Sequence, residues 1–246
     1  MRSRLAVLCF VLASACVVAD DDPFPDHDEA SDLEELPPIF AGEEPGGVNT
    51  VFDRQAVIPD AFLVATEAVD GDALQAFFED TPYGTRSWLA DAEIDGVRAA
   101  DAIVTAARAE GLNPVVMVTR MQVEKSLVSA TVRPKQSKID FAFGCGCPDG
   151  QACNESFRGL DKQVTCAART LRRWYDASID GSGSWRKGVA RRTLDPITIT
   201  PTNHATATLY AYTPWVLSGR GGNWLVWNVT RRYVRHLAAQ GGLMID

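Results

Sequence analysis

One acidic side chain lies on a helix that is otherwise almost entirely apolar. The sequence from Asn113 indicates a helix start, because asparagine is a good N-cap and Pro114 fits the first turn. Valines and methionines then recur on most sides of the predicted helix, so it should be buried, and Glu124 lies among them. A carboxyl group in such a setting is desolvated, which favours its protonated form. A protonated carboxyl group is what a glycosidase needs as its general acid.

A second interpretation of Glu124 is purely structural. Arg120 lies four residues earlier, so the two side chains are neighbours on one helix face and can form an ion pair. The apolar neighbours of Glu124 at helical spacing are Met117, Met121, Leu127 and Val128. The pattern leaves both interpretations open, and the environment of the carboxyl group distinguishes them.

The elements that position Glu124 form a predicted helical hairpin. The first helix starts near Asp95, taken as its N-cap, and ends at Gly111, where a left-handed residue is expected. The connection to the helix of Glu124 is short, so the two helices should be antiparallel neighbours. Further helices are predicted over 68–78, 163–175, 206–212 and 223–237, and a short strand or hairpin arm over 194–200. The predicted fold class is mainly α (α+β) with a small β-hairpin.

The first residues have the pattern of an export signal. Arg2 and Arg4 precede a short apolar run, which is followed by small residues typical of a cleavage site. Residues 1–19 are therefore interpreted as a signal peptide, and the protein is expected in the periplasm, in the cell envelope or outside a bacterial cell. Cys16 follows the small residues directly, as in a bacterial lipoprotein signal, and is a candidate for lipidation and membrane anchoring.

An acidic, proline-bearing segment follows the signal. Residues 20–50 contain eleven Asp and Glu and no Lys or Arg, so this segment is predicted to be a disordered tether. Residues 51–246 are long enough for one folded domain, expected to be a monomer. The formal net charge of −8 comes from the tether, and the remainder carries about +3. A basic surface suits an anionic polymer such as a bacterial cell wall, and the export signal disfavours nucleic acid.

Four of the six cysteines lie in the predicted domain, at positions 145, 147, 153 and 166. Disulfides are the default in an exported chain, and four cysteines allow three pairings. We favour Cys147 with Cys153, closing a small loop, and Cys145 with Cys166, tying that loop to the following helix. A four-thiolate zinc site is the alternative, but the spacing lacks the paired two-residue gaps of zinc ribbons.

Other catalytic classes have little support in the residues. The three histidines lack the spacing of a metal-binding helix, so no metal or other cofactor is predicted. A serine triad would have to use His204 or His236, and the chain has no nucleophile-elbow motif.

The sequence contains an ordered set of motifs: segment 81–89, the Asn113-Pro114 helix start, the helix with Gln122 and Glu124, segment 144–149, segment 203–214 and segment 222–227. This set resembles a group of secreted bacterial proteins in the lysozyme-like superfamily, often labelled hemagglutinin-related or glucosaminidase-like. It covers about 51 to 237, nearly the whole predicted domain.

The resemblance implies the fold of goose-type lysozymes and lytic transglycosylases, with Glu124 at the position of the catalytic acid. Residues 142–146, with Phe143 and Gly144, resemble the loop that lines the cleft, and Tyr212 resembles a late aromatic residue that contacts sugar or the acid. A core tyrosine with a bonded hydroxyl is the alternative interpretation of Tyr212. Gln122 is a further substrate-binding candidate on the helix of Glu124. In those proteins a second polar residue or a serine commonly follows the acid directly. In this sequence the residue at that position is Lys125.

Cleavage of a glycosidic bond usually needs a second carboxylate. The candidates downstream of Glu124 are Asp140, Asp149, Glu155 and Asp161, and Asp140 is preferred because it lies just before the cleft loop. Lytic transglycosylases dispense with a second carboxylate. The expected substrate is peptidoglycan or a related glycan. The alternative is a module of the same fold that binds the wall without cleaving it, with tryptophans available for stacking on sugars at positions 185, 215, 224 and 227.

Overall fold

A computed structural model describes residues 31–37, 42–148 and 151–245, and within them the fold is mainly helical, as predicted. The described residues form eight α-helices: α1 (Asp60–Leu63), α2 (Gly71–Glu79), α3 (Ala99–Ala109), α4 (Pro114–Lys125), α5 (Gln136–Asp140), α6 (Leu160–Asp180), α7 (His204–Tyr212) and α8 (Gly222–Ala239). Short 3₁₀ turns lie at Pro45–Gly47, Trp88–Asp91 and Glu155–Phe157. The strands form three antiparallel pairs: β1 (Glu43–Glu44) with β2 (Val48–Asn49), β3 (Glu93–Ile94) with β4 (Val97–Arg98), and β5 (Arg191–Arg192) with β6 (Thr198–Ile199).

Helix α4 lies at the centre of the domain. Every residue from Pro114 to Gln122 is buried, and α4 packs against α3 and α8, while α6 packs against α7. The predicted start of α4 is confirmed, because the Asn113 carboxamide oxygen accepts a hydrogen bond from the Val115 amide at 2.9 Å. The helix ends at Ser126, whose φ of 52° is left-handed.

The N-cap of the preceding helix is Arg98, three residues after the predicted Asp95. Asp95 and Gly96 have φ of 53° and 76° and form the turn between β3 and β4, and α3 begins at Ala99. An Asp-Gly pair suits both a helix start and a tight hairpin turn, which needs positive φ at its two central residues. The flanking Ile94 and Val97 pair across the strands, and this pairing decides between the two.

The N-terminal boundary of the folded domain also differs from the prediction. Strands β1 and β2 lie within the segment interpreted as a tether, yet Val48 is fully buried. Glu44 is buried beside α8, where its Oε1 accepts a hydrogen bond from Arg231 Nη2 at 2.7 Å, and neither side chain is exposed. The acidic composition indicated a solvated chain, but this carboxylate neutralises a buried arginine 187 residues away. The described part of residues 20–50 therefore belongs to the fold.

The predicted signal peptide and Cys16 lie outside the described residues. Across residues 31–37, 42–148 and 151–245, no helix combines the length and apolar character needed to cross a membrane.

Candidate functional site

Glu124 lies in the last turn of α4, where it is paired with the arginine one turn before it. Arg120 Nη2 donates to Glu124 Oε1 and also to Thr213 Oγ1 at 2.9 Å. The Arg120 side chain is fully buried, whereas the Glu124 side chain is 27% exposed. The uncompensated apolar setting expected for a general acid is therefore not present, and the contacts match the structural interpretation of Glu124. Its catalytic role stays a prediction.

Tyr212 joins the ion pair to the cleft loop. The Arg120 guanidinium lies 4.2 Å from the centre of the Tyr212 ring, and the Tyr212 hydroxyl donates to the Phe143 carbonyl at 2.8 Å. Burial raises the pKa of Tyr212 to about 12, so the hydroxyl stays protonated as a donor at neutral pH. The end of α4, the end of α7 and the loop at Phe143 thus meet at one place.

Asp140 has a different environment from the one expected of a catalytic partner. It ends α5 with its side chain 7% exposed, bound by Arg158 Nη1 and by Gln136 Nε2, the latter at 2.8 Å. Its backbone oxygen accepts from Gly159 at 3.1 Å, at the entrance to α6. These contacts anchor the loop that leads into α6, so Asp140 holds structure together and is not among the residues that line the groove described below.

Gln122 is an interior residue, which corrects the prediction that it contacts substrate. It is 1% exposed, and its Oε1 accepts from the Val128 and Ser129 amides at 3.0 Å each. Its Nε2 donates to Ser129 Oγ at 2.9 Å and to Asp32 Oδ2 at 2.7 Å. The side chain closes the turn after α4 and presents no group to solvent.

A groove of about 1080 Å³ runs between α3 and α6. Phe143, Gly144 and Tyr212, three residues predicted from the sequence as site residues, line this groove. Two aromatic residues that the sequence analysis did not single out as site residues, Phe157 and Trp174, line it as well. Trp174 lies on α6 and is half-buried.

The rim of the groove is polar and carries both signs of charge. Its charged residues are Asp95, Glu110, Asp161, Lys162, Arg169 and Arg173. A second cleft of about 650 Å³ adjoins it, since both include Ile94, Asp95 and Asp161, and its wall contains Trp88 and Arg133. Together they form an elongated depression with aromatic side chains in both parts.

The tryptophans proposed for sugar stacking lie mostly in the core. Trp185, Trp224 and Trp227 are at most 4% exposed. Trp215 is 36% exposed but is not among the residues that line either cleft. Burial of a large aromatic ring stabilises a core strongly. The sequence pattern alone did not distinguish these buried tryptophans from the half-buried Trp174.

Both favoured disulfides are present, Cys145–Cys166 and Cys147–Cys153. Cys145 and Cys166 line the groove and tie the cleft loop to α6. Gln163 reinforces this connection, because its Oε1 accepts from the Phe143 and Cys145 amides at 3.0 and 3.1 Å. The loop wall of the groove is therefore held covalently and by a buried amide.

We expect no reactive thiol at the four domain cysteines in the mature protein. Labelling of the denatured, unreduced chain followed by peptide mapping should leave all four unmodified and give the linked peptides 145–166 and 147–153. Stoichiometric labelling at any of these positions, or linkage in another pattern, would contradict the pairing.

A serine–histidine contact lies outside the groove. Ser178 Oγ is 2.9 Å from His204 Nδ1 and also accepts from the Lys187 amide at 3.3 Å. Ser178 is 4% exposed and is not among the residues lining either cleft, so this hydroxyl lacks access to a substrate. In the described residues, no group of three or more His, Cys, Asp or Glu could hold a metal ion.

The chain matches no protein-family model, no curated protein and no solved structure.

Proposed function

We propose that this protein is an exported glycan-binding protein that holds a polysaccharide strand, peptidoglycan or a related glycan, in the groove between α3 and α6. The observation that carries the proposal is the lining of the groove, where Phe157, Trp174 and Tyr212 lie within a polar rim. Sugars present apolar faces and hydroxyl edges, and a site of aromatic rings with a few polar groups suits both. The resemblance to lysozyme-like proteins and the export signal support a cell-wall ligand.

Binding is favoured over cleavage because the two preferred carboxylates, Glu124 and Asp140, are each paired with an arginine. A general acid has to direct its proton at the leaving oxygen, and a guanidinium bound to the carboxylate competes for that contact. Glu124 is held by Arg120 and Asp140 by Arg158.

A second candidate function, cleavage of the glycan with Glu124 as the acid, has one observation in its favour. Glu124 is 27% exposed and belongs to the cluster that contains Tyr212, which lines the groove. A bound strand that reached past Tyr212 would contact it.

Replacing Trp174 by alanine should weaken glycan binding about tenfold, because loss of one stacking ring costs about 1–1.5 kcal/mol. The measurement is calorimetric titration with soluble peptidoglycan fragments and with N-acetylglucosamine oligomers. Trp215→Ala is the matched control, since Trp215 is exposed but lies outside the groove. This variant should bind the glycan with the affinity of the wild type. Equal affinity of Trp174→Ala and wild type would place the binding site elsewhere.

The same preparations separate binding from cleavage. Wild-type protein incubated with purified peptidoglycan should release no glycan fragments detectable by mass spectrometry. Release that falls about a hundred- to ten-thousand-fold in Glu124→Gln would instead establish the second candidate, because that is the usual contribution of a general acid.

A further inference from the structure

The described N-terminal residues 31–37 form a strap that lies along α8. Asn228 Nδ2 donates to the Asp32 carbonyl at 2.8 Å and to the Glu34 carbonyl at 2.9 Å. Arg232 Nη2 donates to the Ser31 carbonyl at 2.6 Å. These bonds go to the strap backbone, so they fix its path along α8 but carry little information about its side chains.

The side chain that enters the domain from the strap is Asp32. It is 4% exposed, and its two carboxylate oxygens accept from the Tyr83 hydroxyl and from Gln122 Nε2, each at 2.7 Å. Arg232 Nε lies 3.8 Å from Oδ1, and the Tyr233 hydroxyl lies 3.1 Å from that of Tyr83. We call Tyr83, Gln122, Arg232 and Tyr233 the carboxylate socket.

The socket is suited to a carboxylate and to little else. Two neutral donors point at the two oxygens and a guanidinium balances the charge, which is how a buried carboxylate is made tolerable. Burial, with smaller contributions from Tyr233 and Asp32, raises the pKa of Tyr83 well above its usual value, so this phenol remains a donor.

The socket also reaches the end of the helix that carries Glu124. Gln122 uses its remaining groups to hold the turn after α4, through the Val128 and Ser129 amides. Its orientation is thus fixed from one side by the turn and from the other by Asp32. Gln122 therefore contacts both the strap and the turn.

We propose that the carboxylate socket is a binding site whose ligand is the chain's own Asp32, and that docking of the strap orders residues 126–129 after α4. The proposal is independent of glycan binding.

The test compares Asp32→Asn with Glu35→Gln in the full-length chain. Glu35 is an exposed carboxylate of the same strap, so the control makes the same chemical change outside the socket. In Asp32→Asn the amide nitrogen places a donor against the Tyr83 hydroxyl or Gln122 Nε2, and the charge opposite Arg232 is lost. Hydrogen exchange, read by mass spectrometry, should accelerate at least tenfold both in 31–37 and in 126–129. Glu35→Gln should exchange as the wild type does.

Unchanged exchange in Asp32→Asn would overturn the socket as a binding site. Acceleration in the strap alone would overturn the coupling to the turn. Tyr83→Phe removes one hydrogen-bond donor and keeps the ring, so hydrogen exchange should accelerate in both segments, by a smaller factor than in Asp32→Asn. If Asp32→Asn does not fold, unchanged exchange of both segments in Tyr83→Phe overturns the proposal.

Discussion

Replacing Glu44 by glutamine is expected to lower the free energy of unfolding by about 3–5 kcal/mol, the usual cost of removing one partner from a buried ion pair. Glu44 and Arg231 both have fully buried side chains, and Glu44 Oε1 accepts from two nitrogens of Arg231 at 2.7 and 3.2 Å. The glutamine can still accept a hydrogen bond, but it leaves the guanidinium charge without a counter-charge in the core. Urea denaturation followed by tryptophan fluorescence measures the loss.

Glu43→Gln is the matched control for this experiment. Glu43 is the neighbouring residue in β1 but is exposed, and the stability of this variant should stay within about 0.5 kcal/mol of wild type. The burial of Glu44 also predicts that a chain starting at Val48 is strongly destabilised. The domain boundary at residue 51, drawn from the acidic composition, predicts instead that this shorter chain folds normally. A Glu44→Gln protein as stable as Glu43→Gln would contradict the buried pair.

Replacing Glu124 by glutamine should lower the free energy of unfolding by about 2–3 kcal/mol, the upper range for a hydrogen bond to a charged group. The reason is the asymmetry of the pair: Arg120 is fully buried and depends on this carboxylate, whereas Glu124 is 27% exposed. Arg120→Met should cost less than Glu124→Gln, because the carboxylate that it leaves behind reaches water. A double-mutant cycle with both changes measures their coupling.

Glu110 provides a matched control for Glu124. Its side chain is also 27% exposed and it also faces an arginine, but Arg169 is 71% exposed and lies 3.4 Å away. An exposed pair contributes about 0–1 kcal/mol, so Glu110→Gln should be nearly neutral. If Glu124→Gln is instead more stable than wild type, Glu124 is an uncompensated buried acid, and the catalytic interpretation regains its basis.

Local sequence signals predicted the elements around the site well. Asn113 and Pro114 marked the start of α4, and Gly111 has the left-handed conformation expected of it, with φ of 64°. The favoured pairing of the four cysteines, with sequence separations of 6 and 21 residues, is also confirmed. Helix caps and turns depend on residues close together in the sequence, so they can be predicted without the tertiary structure.

The sequence by itself determined a mainly helical domain, the buried helix that carries Glu124 and the disulfide-tied loop. The tertiary structure alone decided the partners of the acidic residues near the N-terminus. Glu44 meets Arg231 and Asp32 meets Gln122 across 187 and 90 residues, and both acids come from a segment whose composition indicated a tether. The groove likewise exists only because α3 and α6 approach each other. The energy of a carboxyl group depends on the charges and water around it, and these are set by packing between elements distant in sequence.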